Sequence, residues 1–171
     1  MTVGDNDFVI RPIEVSDNKA MAAIIRKVMT GFGCEGPGFA MQDPEVDTMA
    51  ESYKLAGHRY FVLTHNHTVL GGAGIAPLSG GEPGVCELRK MYFLDSVRGK
   101  GLGRRMGERC LKTAREMGYQ ECYLETLEFM TDARRLYERL GFQRLEKACG
   151  DTGHFGCDYF YSVDLGSSEA P

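Results

Sequence analysis

Midway along the chain, the stretch VRGKGLGRRMGERC (Val97 to Cys110) sets glycines at 99, 101 and 103 among five Lys and Arg residues and then continues as an amphipathic helix. Glycines at this spacing remove the side chains that keep a ligand away from the backbone, and they permit dihedrals in which successive N–H groups point one way. Where such a turn opens a helix, unpaired amides and the positive end of the helix dipole converge on one point. The turn is suited to an anion, and the flanking Arg98, Lys100, Arg104 and Arg105 suit one with several phosphates. A strand has to lead into the turn and a helix out of it, so the middle of the chain is committed to an α/β arrangement.

The flanks agree with that commitment. FVIRPI (Phe8 to Ile13) alternates as a strand, and Ser16 or Asp17 is placed to cap a helix with Met21, Ile24, Ile25 and Val28 inward, ended near Gly31 and Gly33. The run from Pro44 to about Leu55 reads as a second helix with Val46, Met49 and Tyr53 on its inner side. RYFVLTHNHTVLGGAGIAPL gives two strands around a turn at His65 to His67, and GVCELRKMYFL supplies the strand that enters the glycine turn. After the helix from Leu102 to about Met117 come a strand in QECYLETL, a helix in TDARRLYERLGF ended by Gly141, and two strands near Phe142 to Lys147 and Asp158 to Asp164. This order predicts a mixed α/β sheet without internal repeat or linker.

Length and charge narrow the function classes. A chain of 171 residues fits one domain with its own core, and a net charge of -4 argues against general nucleic-acid binding while leaving room for one local basic patch. The first twenty residues lack the basic start and apolar run of a signal peptide and no stretch approaches membrane-spanning length, so a cytoplasmic location with no membrane partner is expected. The six cysteines include no C-x-x-C pair and read as reduced thiols, mostly small core residues. The nearest approach to a metal motif, Cys149, His154 and Cys157 in CGDTGHFGC, lacks a fourth ligand and paired spacing, so no metal is expected.

Three phosphate motifs compete for the glycine turn. A Walker loop, G-x-x-x-x-G-K-[ST], is absent from the sequence, and a dinucleotide fingerprint fails because Met106 stands where the last glycine belongs. R/Q-x-x-G-x-G/A is matched by Arg98-Gly99-Lys100-Gly101-Leu102-Gly103. On ELRKMYFLDSVRGKGLG, the later ARRLYERLGF and the order of elements, the chain resembles the GNAT superfamily of N-acetyltransferases along nearly its whole length.

The resemblance implies a single-domain α/β GNAT fold over residues 1–166 with a frayed tail at 167–171. Its mixed, mostly antiparallel sheet would be splayed between the fourth and fifth strands and flanked by about four helices. It implies acetyl-CoA as acyl donor, with its pyrophosphate on the backbone of Lys100, Gly101, Gly103 and Arg104, opened by Arg98 and Gly99 and followed by Leu102. The Met91, Tyr92 and Phe93 backbone would pair with the pantetheine arm and the acetyl carbonyl, facing the strand around Leu124 to Thr126. Asp95 departs from the proline that many relatives carry before the turn. Dimers are common in the family, so a homodimer is also expected.

Transfer of acetyl from a thioester to an amine needs a base, donors for the developing oxyanion and an acid for the departing thiolate. By resemblance Glu87 is the first candidate base, acting directly or through water; the bland alternative is a strand carboxylate paired with a neighbouring Arg or Lys. Backbone N–H groups near Met91 to Phe93 would serve the oxyanion. Tyr137, in LYERLGF, matches the tyrosine that many relatives use as acid, and a phenol can donate at neutral pH; the alternative is a core tyrosine fixed by packing. Cys86 cannot share Glu87's direction, because alternation along a strand sends neighbours to opposite faces.

Between Lys27 and Lys54 there is no Lys or Arg, whereas Glu35, Asp43, Glu45, Asp47 and Glu51 all occur. In the family this region walls the acceptor site, so the acidic segment either favours a cationic acceptor such as a polyamine, small amine or peptide, or is a solvated helix face. His154 is either a surface-turn residue or a group that reaches the acceptor. The whole reading is an acetyl-CoA-dependent N-acetyltransferase; a non-catalytic acyl-CoA-binding sensor or partner module is its alternative.

Overall fold

The computed structural model describes residues 7–166, so the expected tail at 167–171 lies outside the described residues. Seven strands form one sheet in the order β1-β2-β3-β4-β5-β7-β6. They are β1 (Phe8–Pro12), β2 (Arg59–His65), β3 (Thr68–Pro77), β4 (Val85–Phe93), β5 (Glu121–Thr126), β6 (Gln143–Leu145) and β7 (Tyr159–Asp164). Four α-helices accompany them: α1 (Asn18–Gly31), α2 (Met49–Ser52), α3 (Leu102–Glu116) and α4 (Thr131–Arg139). The sheet is antiparallel except where β4 pairs with β5, and the mixed α/β architecture expected from the sequence is the one found.

Alternation along β2 sorts the helices onto two faces. Phe61 and Leu63 pack with Leu102, Met106 and Cys110 of α3, whereas Tyr60 and Val62 pack with Met21, Ile25 and Met29 of α1. The β2–β3 turn places both Asn66 and His67 at positive φ, 48° and 65°, the conformation that a two-residue hairpin turn demands. Asp17 does not cap α1 with its side chain; its carboxylate is taken by Arg11 and by the Glu14 N–H.

The run from Pro44 to Leu55 is not one helix. A 3-10 turn (Pro44–Asp47) is separated from the single-turn α2 by Thr48, at φ -132° and ψ 40°. Helical periodicity places Val46, Met49 and Tyr53 on one side, and all three are buried as expected. The break arises because side chains on both flanks are claimed elsewhere: Asp43 and Glu45 by Lys90, and the Ala50 N–H by the Asn18 side chain.

β4 carries the irregularity that creates the site. Gly74 pairs with Arg89 and Gly72 with Tyr92, so Lys90 and Met91 together oppose the single residue Ala73. Lys90 adopts φ 49°, rare for a residue with a side chain. The extra residue shifts the alternation: Leu88, Met91 and Phe93 belong with the α3-face core, and Tyr92 with the α1-face core. The bulge also bends β4 away from β5. Parallel pairing extends only from Val85↔Glu121 to Glu87↔Tyr123, and beyond it the two strands diverge.

Tyr60 holds the bulge. Its hydroxyl donates to the Lys90 carbonyl at 2.6 Å, and its ring lies where a Cβ on Gly72 or Gly74 would fall, at 2.6 and 2.4 Å. Only glycine at these two positions lets the ring cross β3 to reach the bulge. Tyr60→Phe keeps the ring and leaves the buried carbonyl without its donor, and is expected to cost about 1–3 kcal/mol. At about 2–4 °C per kcal/mol for a chain of this size, thermal denaturation should show a clear drop in Tm.

Candidate active site

The glycine turn has the open backbone geometry that an anion needs. Gly99 and Gly101 stand at φ 74° and 72°, and a Cβ on either would meet nothing within 4 Å, so the turn faces open space. Gly101 is the N-cap of α3, and no side chain caps the helix, which leaves its first amides available. Arg98 and Arg104 flank the turn, at 3.1 Å from Asp95 and 3.0 Å from Glu108. Asp95 thus replaces the turn-setting proline with a partner for Arg98, in a single 3-10 turn (Asp95–Val97).

From this turn a cavity of about 600 Å³ runs into the gap between β4 and β5. Arg98, Gly99, Gly101, Leu102, Gly103 and Arg104 line its entrance, and the Met91, Tyr92 and Phe93 segment lines its wall. Lys100 is placed differently: its ammonium lies 5.5 Å from the centroid of the Phe8 ring, outside the cavity lining. Glu87 and Tyr137 both line the cavity, so the structure brings the two expected chemical groups to one space.

A second cavity of about 310 Å³ abuts the first, and the two share Glu87, Arg89, Lys90 and His154 as a partition. Glu87 is 3% exposed and accepts from Arg89 Nε at 2.6 Å, so the neighbouring-arginine pairing considered from sequence is present. Burial raises the Glu87 carboxyl above its ordinary 4.5, against the lowering by Arg89. The pairing therefore does not bring the carboxyl below its ordinary value. Ligand atoms of Glu87, Glu125 and His154 lie within 4.8 Å of one another, but each group already has a partner: Arg89, Thr152 and Asp43. Arg89 takes one Glu87 oxygen and Thr152 one Glu125 oxygen, so the cluster is a set of already partnered groups suited to handling a proton.

Sequence reasoning underweighted the groups that complete the partition. His154, from the β6–β7 loop, bonds Asp43 through Nε2 at 2.9 and 3.0 Å. Burial works to lower its pKa, but the Asp43 hydrogen bond and the surrounding carboxylates outweigh it and the imidazole ends above 6.5. Lys90 extends its ammonium, 1% exposed, to Asp43 at 2.6 Å and Glu45 at 2.5 Å, and Glu45 also accepts from Tyr53. Nothing in the sequence marked Lys90 or Glu125, each one of several charges within its strand. The Asp43 signal was the acidic run itself.

Tyr137 is 8% exposed and packs edge-on against Phe142, its ring between the roles of core residue and cavity wall. Burial drives its phenol upward, which keeps it protonated. Cys86 and Cys122 are fully buried in the α3-face core, on the opposite side of the strand from Glu87. Cys34 and Cys110 are also buried, whereas Cys149 is exposed and Cys157 half-buried.

The likeness to known proteins extends over both the glycine turn and the strand before it. A model of the acetyltransferase (GNAT) family matches residues 26–142. The uncharacterized N-acetyltransferase YjgM of Escherichia coli (strain K12) is 44% identical over 88% of this chain and 90% of its own. An uncharacterized N-acetyltransferase of Schizosaccharomyces pombe is 33% identical over 79% and 80%. Among solved structures, a GNAT-family acetyltransferase from Staphylococcus aureus Mu50 superposes with a TM-score of 0.83 at 18% identity, covering 93% of this chain and 99% of that one. An acetyltransferase of Salmonella typhimurium described with its cofactor acetyl-CoA gives 0.72 at 23%, covering 97% and 98%. A family match across the splayed strands and the phosphate turn, with a relative this similar over most of both chains, establishes that the chain belongs to the GNAT family of acetyltransferases.

Proposed function

We propose that this chain, as one N-acetyltransferase domain, moves an acetyl group from acetyl-CoA to a primary amine by direct attack within a ternary complex. The observation that carries the proposal is the continuity of one cavity from an uncapped, glycine-lined helix start to a buried carboxyl with a raised pKa. The turn fits the donor because its side-chain-free floor and free amides accept a pyrophosphate, and Arg98 and Arg104 add charge beside it. Acetyl-CoA, when bound, supplies the acetyl group as a thioester.

The chain's own groups do the rest. Glu87 takes the proton of the incoming ammonium, directly or through one water, which frees the nitrogen lone pair. Backbone N–H groups at Met91 to Phe93, beside the bulge, stabilise negative charge on the acyl oxygen. The Tyr137 hydroxyl donates its proton to the departing sulfur. His154, between Glu87 and Asp43, is placed to pass the proton on to the second cavity.

The acceptor in this reading is a cationic small amine, polyamine or peptide. Of the acidic segment, Asp47 pairs with Arg26 and Glu51 accepts from Asn18, so neither is available to a ligand. Asp43, Glu45, Glu87 and Glu125 surround the partition against Lys90, Arg89 and His154, and that balance favours an ammonium. A cytoplasmic location is part of this reading, and the resemblance adds a homodimer; among the described residues no helix is long and apolar enough to cross a membrane.

Thiol release from acetyl-CoA, measured against a panel of polyamines, amino acids, small amines and lysine peptides, tests the proposal. Tyr137→Phe is expected to lower kcat by about 10- to 100-fold with little change in the acceptor's KM, because the phenol acts on the leaving group and not in binding. A KM effect alone would make Tyr137 a packing residue. Tight acetyl-CoA binding with no thiol release from any acceptor would favour the sensor.

A further inference from the structure

The two faces of the sheet divide the large cavity by chemistry. Its α3-face half holds the glycine turn and the arginines of that turn and of α4: Arg98, Arg104, Arg135 and Arg139. Its α1-face half is walled by Met29 and Phe32 at the end of α1, Phe39 in the following loop, and Leu127, Phe129 and Met130 after β5. The acids and His154 lie at the floor between the halves. Resting on the acetyl-transfer reading above, the donor fills the first half and the acceptor must enter through the second.

We propose that the acceptor is an amphipathic monoamine, a primary amine carried on an aromatic or bulky apolar body with no carboxylate beside the nitrogen. The ammonium end is set by the floor, where Glu87 and Glu125 are adjacent. The apolar body is set by the wall. Phe32 and Phe129 are 36% and 53% exposed, yet their rings meet at 5.9 Å across the α1-face half, one from a helix end and the other from a loop. Two phenylalanines left in water at the rim of a cavity form a surface that a ligand would desolvate.

The absence of a carboxylate is set by the cations. Among the described residues that line the α1-face half, Lys90 is held by Asp43 and Glu45, and Arg89 by Glu87 and the Pro77 carbonyl. An amino acid's carboxylate would have to compete with the acids that already hold these cations. A polyamine carries no bulky apolar body to cover Phe32, Phe39 and Phe129.

The walls are also fixed in place. The loop carrying Phe39 and the β6–β7 loop clasp one another: the Phe39 ring lies within 2.5 Å of where a Gly156 Cβ would stand, and the Phe155 ring within 2.7 Å of a Gly38 Cβ. The Gly156 N–H donates to the Gly38 carbonyl at 3.2 Å, and the Asp43–His154 bond closes the far end. A pre-formed pocket of this kind selects by shape and hydrophobicity rather than by folding around its ligand.

The test compares kcat/KM for phenethylamine, ethylamine, phenylalanine and spermidine with acetyl-CoA as donor, in wild type and in Phe32→Ser/Phe129→Ser. Calorimetric binding of phenethylamine to the coenzyme A complex is measured alongside. Phenethylamine should exceed each of the others by at least about tenfold, and its ratio to ethylamine should collapse toward one in the double variant. Equal or better use of ethylamine, phenylalanine or spermidine overturns the inference while leaving acetyl transfer standing. If acetyl-CoA binds and no amine is acetylated, the acetyl-transfer reading fails and calorimetry decides: phenethylamine binding that weakens in the double variant upholds the apolar amine site, and no binding overturns it.

Discussion

Glu87→Gln is expected to lower kcat/KM for acetyl transfer by about 10²–10⁴-fold, the range lost when a positioned general base is removed. The amide keeps an oxygen for Arg89 and nearly the same volume, so the loss should come without unfolding. The pH profile makes the prediction specific. Burial holds the Glu87 carboxyl above its ordinary 4.5, so the acidic limb of wild-type kcat/KM should fall above 4.5 and should vanish in the variant. A limb that persists in Glu87→Gln would assign the titration to His154 or another group. The same shift has a cost in stability: a carboxyl whose pKa is raised by folding is favoured in its protonated form, so its contribution is lost as pH rises from 4.5 through the raised value.

The second large effect is one of stability. Lys90→Met removes the buried ammonium shared by Asp43 and Glu45 and leaves them only His154 and Tyr53 as partners, a change expected to cost about 3–5 kcal/mol. At about 2–4 °C per kcal/mol, Tm should fall by about 6–20 °C. The pH dependence should also weaken. In wild type, burial works to raise Asp43 and Glu45, but His154 and Lys90 outweigh it at Asp43 and Lys90 and Tyr53 at Glu45, and both titrate below their ordinary values of 3.8 and 4.5. Their contribution is therefore present above about pH 4.5 and is lost as pH falls through the depressed values. Without Lys90 the lowering of both acids weakens, so less stability should be lost as pH falls. Adding Asp43→Asn and Glu45→Gln to Lys90→Met should recover much of the loss, since the charges left without Lys90 then disappear. Chemical denaturation across pH 3–8 reads both effects.

Much of the fold was legible because local rules and tertiary demands agree. β2 and β3 alternate around a turn whose two residues accept positive φ, α3 and α4 carry apolar residues at helical spacing, and Gly118 and Gly141 end them at φ 88° and 97°. The segment from Pro44 to Leu55 was misread as one helix because its periodicity is real but its groups are claimed from a distance, the Ala50 N–H by Asn18 and the Asp43 and Glu45 carboxylates by Lys90. Those partners lie far along the chain, where no window of periodicity reaches them.

The same division runs through the site. The glycine turn is a contiguous signal, since conformational freedom, missing side chains and a helix start follow one another along the chain, and the sequence by itself determined that turn and the strand and helix around it. Lys90 lies in the middle of an ordinary-looking strand, and only the pairing of β3 with β4 decides that it is the extra residue of a bulge, turned toward Asp43 and Glu45. Only the tertiary structure joins Asp43 to His154, 111 residues apart, and buries Glu87 so that its carboxyl rises. Charge positions and pKa values depend on which groups share a low-dielectric space, and that is a property of distances across the fold, whereas turns and periodicities are properties of neighbours along the chain.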